Sequence, residues 1–221
     1  MASHRKAADE HTEDALVPHR QIRAVYDSET ITVYQAYSSA IAIPAVTQQR
    51  LNASPDFSMS RMTWIKPSWA WMLYRSGYSY KDSRQTHILA LRVRHSTFLS
   101  LLRGASLSHN GNTPKIKSGG KTKSAGVVVQ WDPERTVRLE KLPYRSIQIG
   151  IPGALVPKLI DGIVHIEDVS QRARELKGLL EAENDDAKEG HMGLEHLVER
   201  GLVPVEREYA VDEDIRAILG I

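Results

Sequence analysis

Val127-Val128-Val129-Gln130-Trp131-Asp132-Pro133-Glu134-Arg135, followed within ten residues by Tyr144-Arg145-Ser146-Ile147-Gln148-Ile149-Gly150-Ile151, is the stretch on which the fold turns. It reads as a strand from Val127 to Trp131, a turn at Asp132-Pro133, a second strand from Thr136 to Leu139 and a strong third from Ser146 to Ile151. No helical period separates these strands, so they pair as near neighbours and not through crossovers. Alternation in the third strand puts Ser146 and Gln148 on one face and Ile147 and Ile149 on the other. With the isoleucines turned to the core, Gln148 faces a cleft or solvent.

Upstream, strands alternate with helices. Ile31 to Tyr37 is a strand, and Ala40 to Arg50 a helix with Ser38 or Ser39 as cap and Pro44 near its first turn. Met62 to Ile65 is a strand, leading through Lys66-Pro67-Ser68 into a helix that stops at Gly77. His87 to Val93 is a third strand, and Ser96 caps a short amphipathic helix. Downstream come a helical turn or two after Pro152, a strand from Ile163 to Ile166, and helices over Val169 to Glu183, near Leu194 and Leu197, and over Val211 to Leu219. The order predicts an α+β fold with a mixed, largely antiparallel sheet, flanking helices and a helical C-terminal tail.

Residues 1–18 are polar and read as a disordered tail, and 19–221 as one domain. Residues 104–126, with Lys115, Lys117, Lys121 and Lys123 and no acid, read as a flexible basic loop. Residues 169–221 read as an acidic helical tail packed on the body. The formal charge of +2 conceals this division. Residues 1–170 carry 22 basic and 14 acidic side chains, and the last 51 carry 7 and 13, so a body of +8 meets a tail of −6. A basic body suits a phosphate-bearing partner, a nucleotide or a nucleic acid, unless the tail neutralises it.

The absence of cysteine excludes disulfides, thiolate metal sites and thiol nucleophiles. No signal-peptide h-region or membrane-length apolar run occurs, so the expectation is a cytoplasmic protein, or one shared with the nucleus, with no membrane partner. Neither GxGxxG nor GxxxxGK[ST] is present. The nine histidines lack ligand spacing, His191 and His196 included, and no metal is expected.

Two constellations carry the chemistry. Arg61-Met62-Thr63-Trp64-Ile65-Lys66-Pro67-Ser68-Trp69-Ala70-Trp71-Met72-Leu73-Tyr74-Arg75 crowds tryptophans and cations onto a strand-to-helix junction. There Lys66 and Ser68 sit at a helix N-terminus that favours an anion, and aromatic faces can stack a base. The other constellation is Gln130 to Arg135 with Tyr144 to Gly150, where an aromatic neighbour can desolvate Glu134 and raise its pKa.

These runs, with Thr32 to Tyr37 and the later Pro204-Val205-Glu206-Arg207-Glu208-Tyr209, resemble the domain of unknown function 4291 family over about residues 20–219, a family name that implies no chemistry by itself. A fold-level resemblance to the ADP-ribosyltransferase superfamily implies NAD as a ligand. It sets Gln35 near a first-strand His or Arg, Tyr74 or Tyr78 near a stacking aromatic, and Gln148 at the position of the catalytic Glu. Gln148 lacks that carboxylate's charge, so Glu134 substitutes, the reaction differs, or the site only binds.

The resulting expectation is a nucleotide- or NAD-binding, transferase-like domain. Arg61, Lys66 and Arg145 contact phosphate, with Ser68 at the helix end, and Tyr74 or Trp69 stacks a base or nicotinamide. Gln35 and Gln148 orient the ligand, and Gln148, Glu134 and Gln35 are the catalytic candidates. The alternative is a non-catalytic RNA-binding module using the basic body.

Overall fold

The computed structural model describes residues 17–108, 115–118, 121–124, 126–185 and 192–221. In chain order the elements are β1 (Arg23–Ala24), β2 (Thr30–Tyr37), α1 (Ser39–Gln48), β3 (Thr63–Ile65), α2 (Trp69–Ser76), β4 (His87–Arg94), α3 (His95–Arg103) and β5 (Ala105–Leu107). There follow β6 (Lys115–Ser118), β7 (Lys121–Ser124), β8 (Val127–Arg135), β9 (Lys141–Ile151), α4 (Val156–Gly162), β10 (Ile163–Asp168), α5 (Ser170–Asp185), α6 (Leu194–Glu199), β11 (Arg207–Glu208) and α7 (Glu213–Leu219).

The protein is α+β, and its sheets are mostly antiparallel. One three-stranded sheet runs β10-β4-β2, and one four-stranded sheet runs β3-β9-β8-β5, with β5 parallel to β8. Ile31, Val33, Leu89, Leu91 and Val93 from the first sheet pack with Val129, Ile147 and Ile149 from the second in one buried core, closed by α3, α4 and α7. The other face of the three-stranded sheet, with Tyr34 and Ile88, is covered by α2 and α5 through Trp69, Leu73, Ala173 and Leu176. Burial on both faces explains why Ile88 to Leu91 of β4 read as an apolar run, while Arg92 and Arg94 are exposed on either side of Val93.

The two sheets meet through one backbone bridge. Tyr34 N–H donates to Lys66 C=O at 2.7 Å, and Lys66 N–H donates to Tyr34 C=O at 3.2 Å. The Gln35 amide reinforces it, donating to Thr63 Oγ1 at 2.7 Å and to Trp64 C=O at 3.0 Å. Past this seam lies a cleft lined by the end of β2, by β3 and by Gln148 of β9.

Several local readings change. Asp132-Pro133 lies inside β8, not in a turn, and Thr136 to Leu139 is the hairpin turn, not a strand. Proline is tolerated there because β5 flanks β8 only as far as Val129 and the register slips between Pro133 and Arg135. Val137 and Leu139, which read as strand residues, instead pack onto the cluster around Trp69. Pro44 sits mid-helix in α1, Pro67 precedes the cap of α2, and Ser96 lies within α3, whose cap position is Arg94. Between 104 and 126, the described residues form β5 and the β6–β7 hairpin. The N-terminal tail reading, apart from Val17 and Pro18, and His191 lie outside the described residues.

The C-terminal segment is strapped to the front of the body. β11 pairs with β1, Tyr209 N–H donates to Ile22 C=O at 2.8 Å, and Arg23 donates to Glu206 C=O at 2.9 Å. Arg138–Glu183 and Arg103–Asp212 ion pairs, both 2.6 Å, join basic body residues to tail carboxylates.

Gly150 stands opposite Trp64 in the β3–β9 pairing, and a Cβ built on it lies 2.8 Å from the indole. Gly150→Ala is expected to destabilise the fold by about 1–3 kcal/mol through overpacking. A urea titration reads the shift, and an unchanged midpoint would show that the indole swings clear at no cost.

Candidate functional site

The cleft of about 520 Å³ lies at the end of β2, beside β3 and β9. Its lining includes buried Gln35, Lys66 and Phe57, Gln148, and the exposed Arg61, Arg75 and Arg84. Four cations therefore border it, against a single lining carboxylate, Asp56. Arg84 is held by Asp82 at 2.6 Å and Arg75 donates to Gln85 at 3.2 Å.

Lys66 is the unusual member. It is only 6% exposed, its Nζ lies 4.8 Å from the Trp71 ring centroid, and no carboxylate among the described residues pairs with it. Burial, with a further push from Arg75, pulls its ammonium down to about 8 against the opposing pull of Asp132. Burial also raises the Asp132 carboxyl, against the pull of Lys66 and Arg145, and its Oδ2 is buried without a hydrogen bond.

Gln148 reaches the cleft, as strand alternation implies, while Ile147 and Ile149 are core. Its amide donates to Gln130 Oε1 at 2.7 Å. Gln35 is less available. Its nitrogen serves Thr63 and Trp64, and its oxygen accepts from Tyr37 Oη at 3.1 Å, so it acts as a brace at the seam.

The other expected site residues lie elsewhere. Ser68 caps α2, accepting from Trp71 N–H at 3.1 Å and donating to Glu134 Oε1 at 3.0 Å. Glu134 is buried and also accepts from Arg135 N–H at 2.8 Å. Burial raises its carboxyl, and these hydrogen bonds oppose the rise. Tyr74 is exposed and stacks under the Arg135 guanidinium at 3.9 Å, while Trp69 is core. Arg145 lines a separate cavity of about 260 Å³ with His19, Arg20 and Trp131.

Sequence reasoning passed over Glu206. Its Oε1 accepts from Trp69 N–H at 2.6 Å, so the α2 N-terminus, read as an anion site, is already occupied by the chain's own carboxyl group. Burial pushes Glu206 up to about 8, with Glu134 adding to the rise and Trp69 N–H and Arg23 opposing it. Its acceptor relation spans 137 residues, and no local pattern announces it.

With this geometry in place, the comparison with known families is informative. The model of the family described as Domain of unknown function (DUF4291) matches residues 21–209. The chain belongs to this family. The DUF4291 span contains every residue lining the cleft and ends on Tyr209, the last residue of the strap. No curated protein matches the chain. The ADP-ribosyltransferase resemblance gains no support from the DUF4291 match, which carries no activity. Among the described residues no group of three or more His, Asp and Glu could hold a metal ion, and no helix is long and apolar enough to cross a membrane.

A carboxyl raised in the folded state keeps its proton where the unfolded chain has lost it. Stability from Glu206 is therefore full below about 4.5, falls as pH rises, and levels off above about 8. Glu206→Gln keeps an acceptor for Trp69 N–H and is expected to flatten the thermal midpoint between these limits. An unchanged slope would assign the pH dependence to another group.

Proposed function

We propose that the cleft binds a phosphate-bearing small molecule of the nucleotide class, NAD included. The observation that carries this reading is Lys66, a buried cation that no carboxylate among the described residues ion-pairs, in a cleft of about 520 Å³ that Arg61 and Arg75 also line. Burying an unpaired ammonium costs several kcal/mol, about the scale set by ion desolvation, and an anion that enters with the ligand offsets it. The volume falls within the roughly 300–1,000 Å³ of small-molecule sites.

Lys66 and Arg61 meet phosphate oxygens, and Arg75 adds a third cation. Phe57 and Trp64 form the apolar wall that takes the flat base or nicotinamide, in place of Tyr74 and Trp69. Gln148 orients the ligand by hydrogen bonding. The reading stops at binding. A neutral amide at Gln148 does not supply the charge that would stabilise a ribosyl cation, and Glu134 is engaged at the cap of α2.

Titrations of pyrophosphate, ADP and NAD followed by thermal melting test this. Ligand at about 100 times its Kd stabilises by about 2.7 kcal/mol, a clear rise in midpoint. Arg61→Ala and Lys66→Met are each expected to weaken binding about tenfold, the loss of one charged contact. No midpoint shift with any of the three ligands at millimolar concentration would sink the reading. Tight, steeply salt-dependent binding of an RNA oligonucleotide that ignores both substitutions would favour the basic surface instead.

A further inference from the structure

We propose that Lys66 is an imine-forming amine, whose Nζ condenses with the aldehyde or ketone carbon of a phosphorylated ligand held in the cleft. The inference rests on the reading that the cleft takes a phosphate-bearing molecule, and it adds a covalent step to that binding. Lys66 is held in place by its own backbone, since both its N–H and its C=O are committed to Tyr34 across the seam. The side chain is packed rather than free, at 6% exposure and with Nζ 4.8 Å from the Trp71 ring centroid, yet it borders the cleft.

A lysine recruited only to bind phosphate works well as an exposed point charge. One sunk beside an indole, under the influence of a second cation and with no ion-paired carboxylate among the described residues, has the surroundings that make an amine nucleophilic. Burial and Arg75 act in the same direction, holding the ammonium at about 8, so about a tenth of it is free amine at neutral pH. The division of labour follows from position. Arg61, Arg75 and Arg84, exposed where they line the cleft, hold a phosphate, which directs the carbonyl end inward.

The step balances without any further reactant. The nitrogen lone pair forms the C–N bond, both amine hydrogens leave with the carbonyl oxygen as water, and the imine nitrogen takes one proton from solvent. Asp132 is the acid nearest in electrostatic influence, and its Oδ2 has no hydrogen-bond partner.

Reductive trapping tests the proposal. The full chain is incubated with glyceraldehyde 3-phosphate or plain glyceraldehyde in the presence of cyanoborohydride, and the labelled lysine is located by peptide mass spectrometry. Expected is one dominant adduct, on Lys66. It should form about tenfold faster with the phosphorylated probe, through the charge-assisted contacts it adds, and be blocked by pyrophosphate. Lys66→Arg should abolish that adduct while pyrophosphate still raises the melting midpoint, because the charge remains. Pyrophosphate stabilisation with Lys66 left unlabelled, or labelled no faster than surface lysines, would overturn the imine and leave the binding site standing. Equal labelling by the two aldehydes would overturn the phosphorylated-ligand assignment. Loss of both stabilisation and labelling would remove the binding reading as well. The wild-type labelling map decides the matter even if Lys66→Arg fails to fold.

Discussion

The Tyr34–Lys66 backbone bridge is the constraint on which the remaining architecture depends. Two sheets with a shared apolar core would, by packing alone, slide over one another until their side chains interlocked. A reciprocal pair of hydrogen bonds at 2.7 and 3.2 Å removes that freedom at one point, and the Gln35 brace fixes the angle beside it. The same bridge decides where the Lys66 ammonium goes. The backbone at Lys66 is committed to the seam, and its buried side chain borders the cleft. Core packing thus determines the placement of a charge whose burial opposes folding.

The second organising feature is the N-terminus of α2, where Ser68, Glu134 and Glu206 converge. A helix start exposes unpaired N–H groups and a partial positive charge, and such ends attract anions. This one is satisfied within the chain by a serine cap and by the Glu206 carboxyl group delivered from the strap. Positive charge available to a ligand is therefore side-chain charge at the cleft, not helix charge at the cap. Lys66 and Ser68, two residues apart, illustrate the separation, with one lining the cleft and the other buried at the cap of α2.

Much of the scaffold was legible because it is local. The residues of β2, β4 and the Ser146–Ile151 half of β9 declare themselves by β-branched content, and Ser68 and Gly77 bracket α2 as cap chemistry requires. The alternation that set Gln148 against Ile147 and Ile149 needed no partner to be read. Arg61, Lys66, Gln35 and Gln148 come together in the cleft, whereas Arg145, Tyr74, Ser68 and Glu134 do not. The failures share a cause. Pro133 lies in a strand because a neighbouring strand ends early, Val137 sits in a turn because a distant cluster accepts it, and Glu206 caps a helix far away in sequence. Each of those outcomes is set by a tertiary neighbour. Phe57 and Arg84 line the cleft from the segments between α1 and β3 and between α2 and β4, whose course the sequence pattern does not describe.

The strap also bears on the order in which the chain can finish folding. Domains emerge from the ribosome N-terminus first, and early segments collapse before later ones exist. Both sheets, α2 and the cleft are encoded before residue 170, yet the carboxyl group that satisfies Trp69 N–H arrives only with Glu206. A nascent chain therefore carries an unpaired Trp69 N–H at the start of α2 until residue 206 is made. Loss of the chain after α6 would leave most of the core in place and the start of α2 open to any anion in solution.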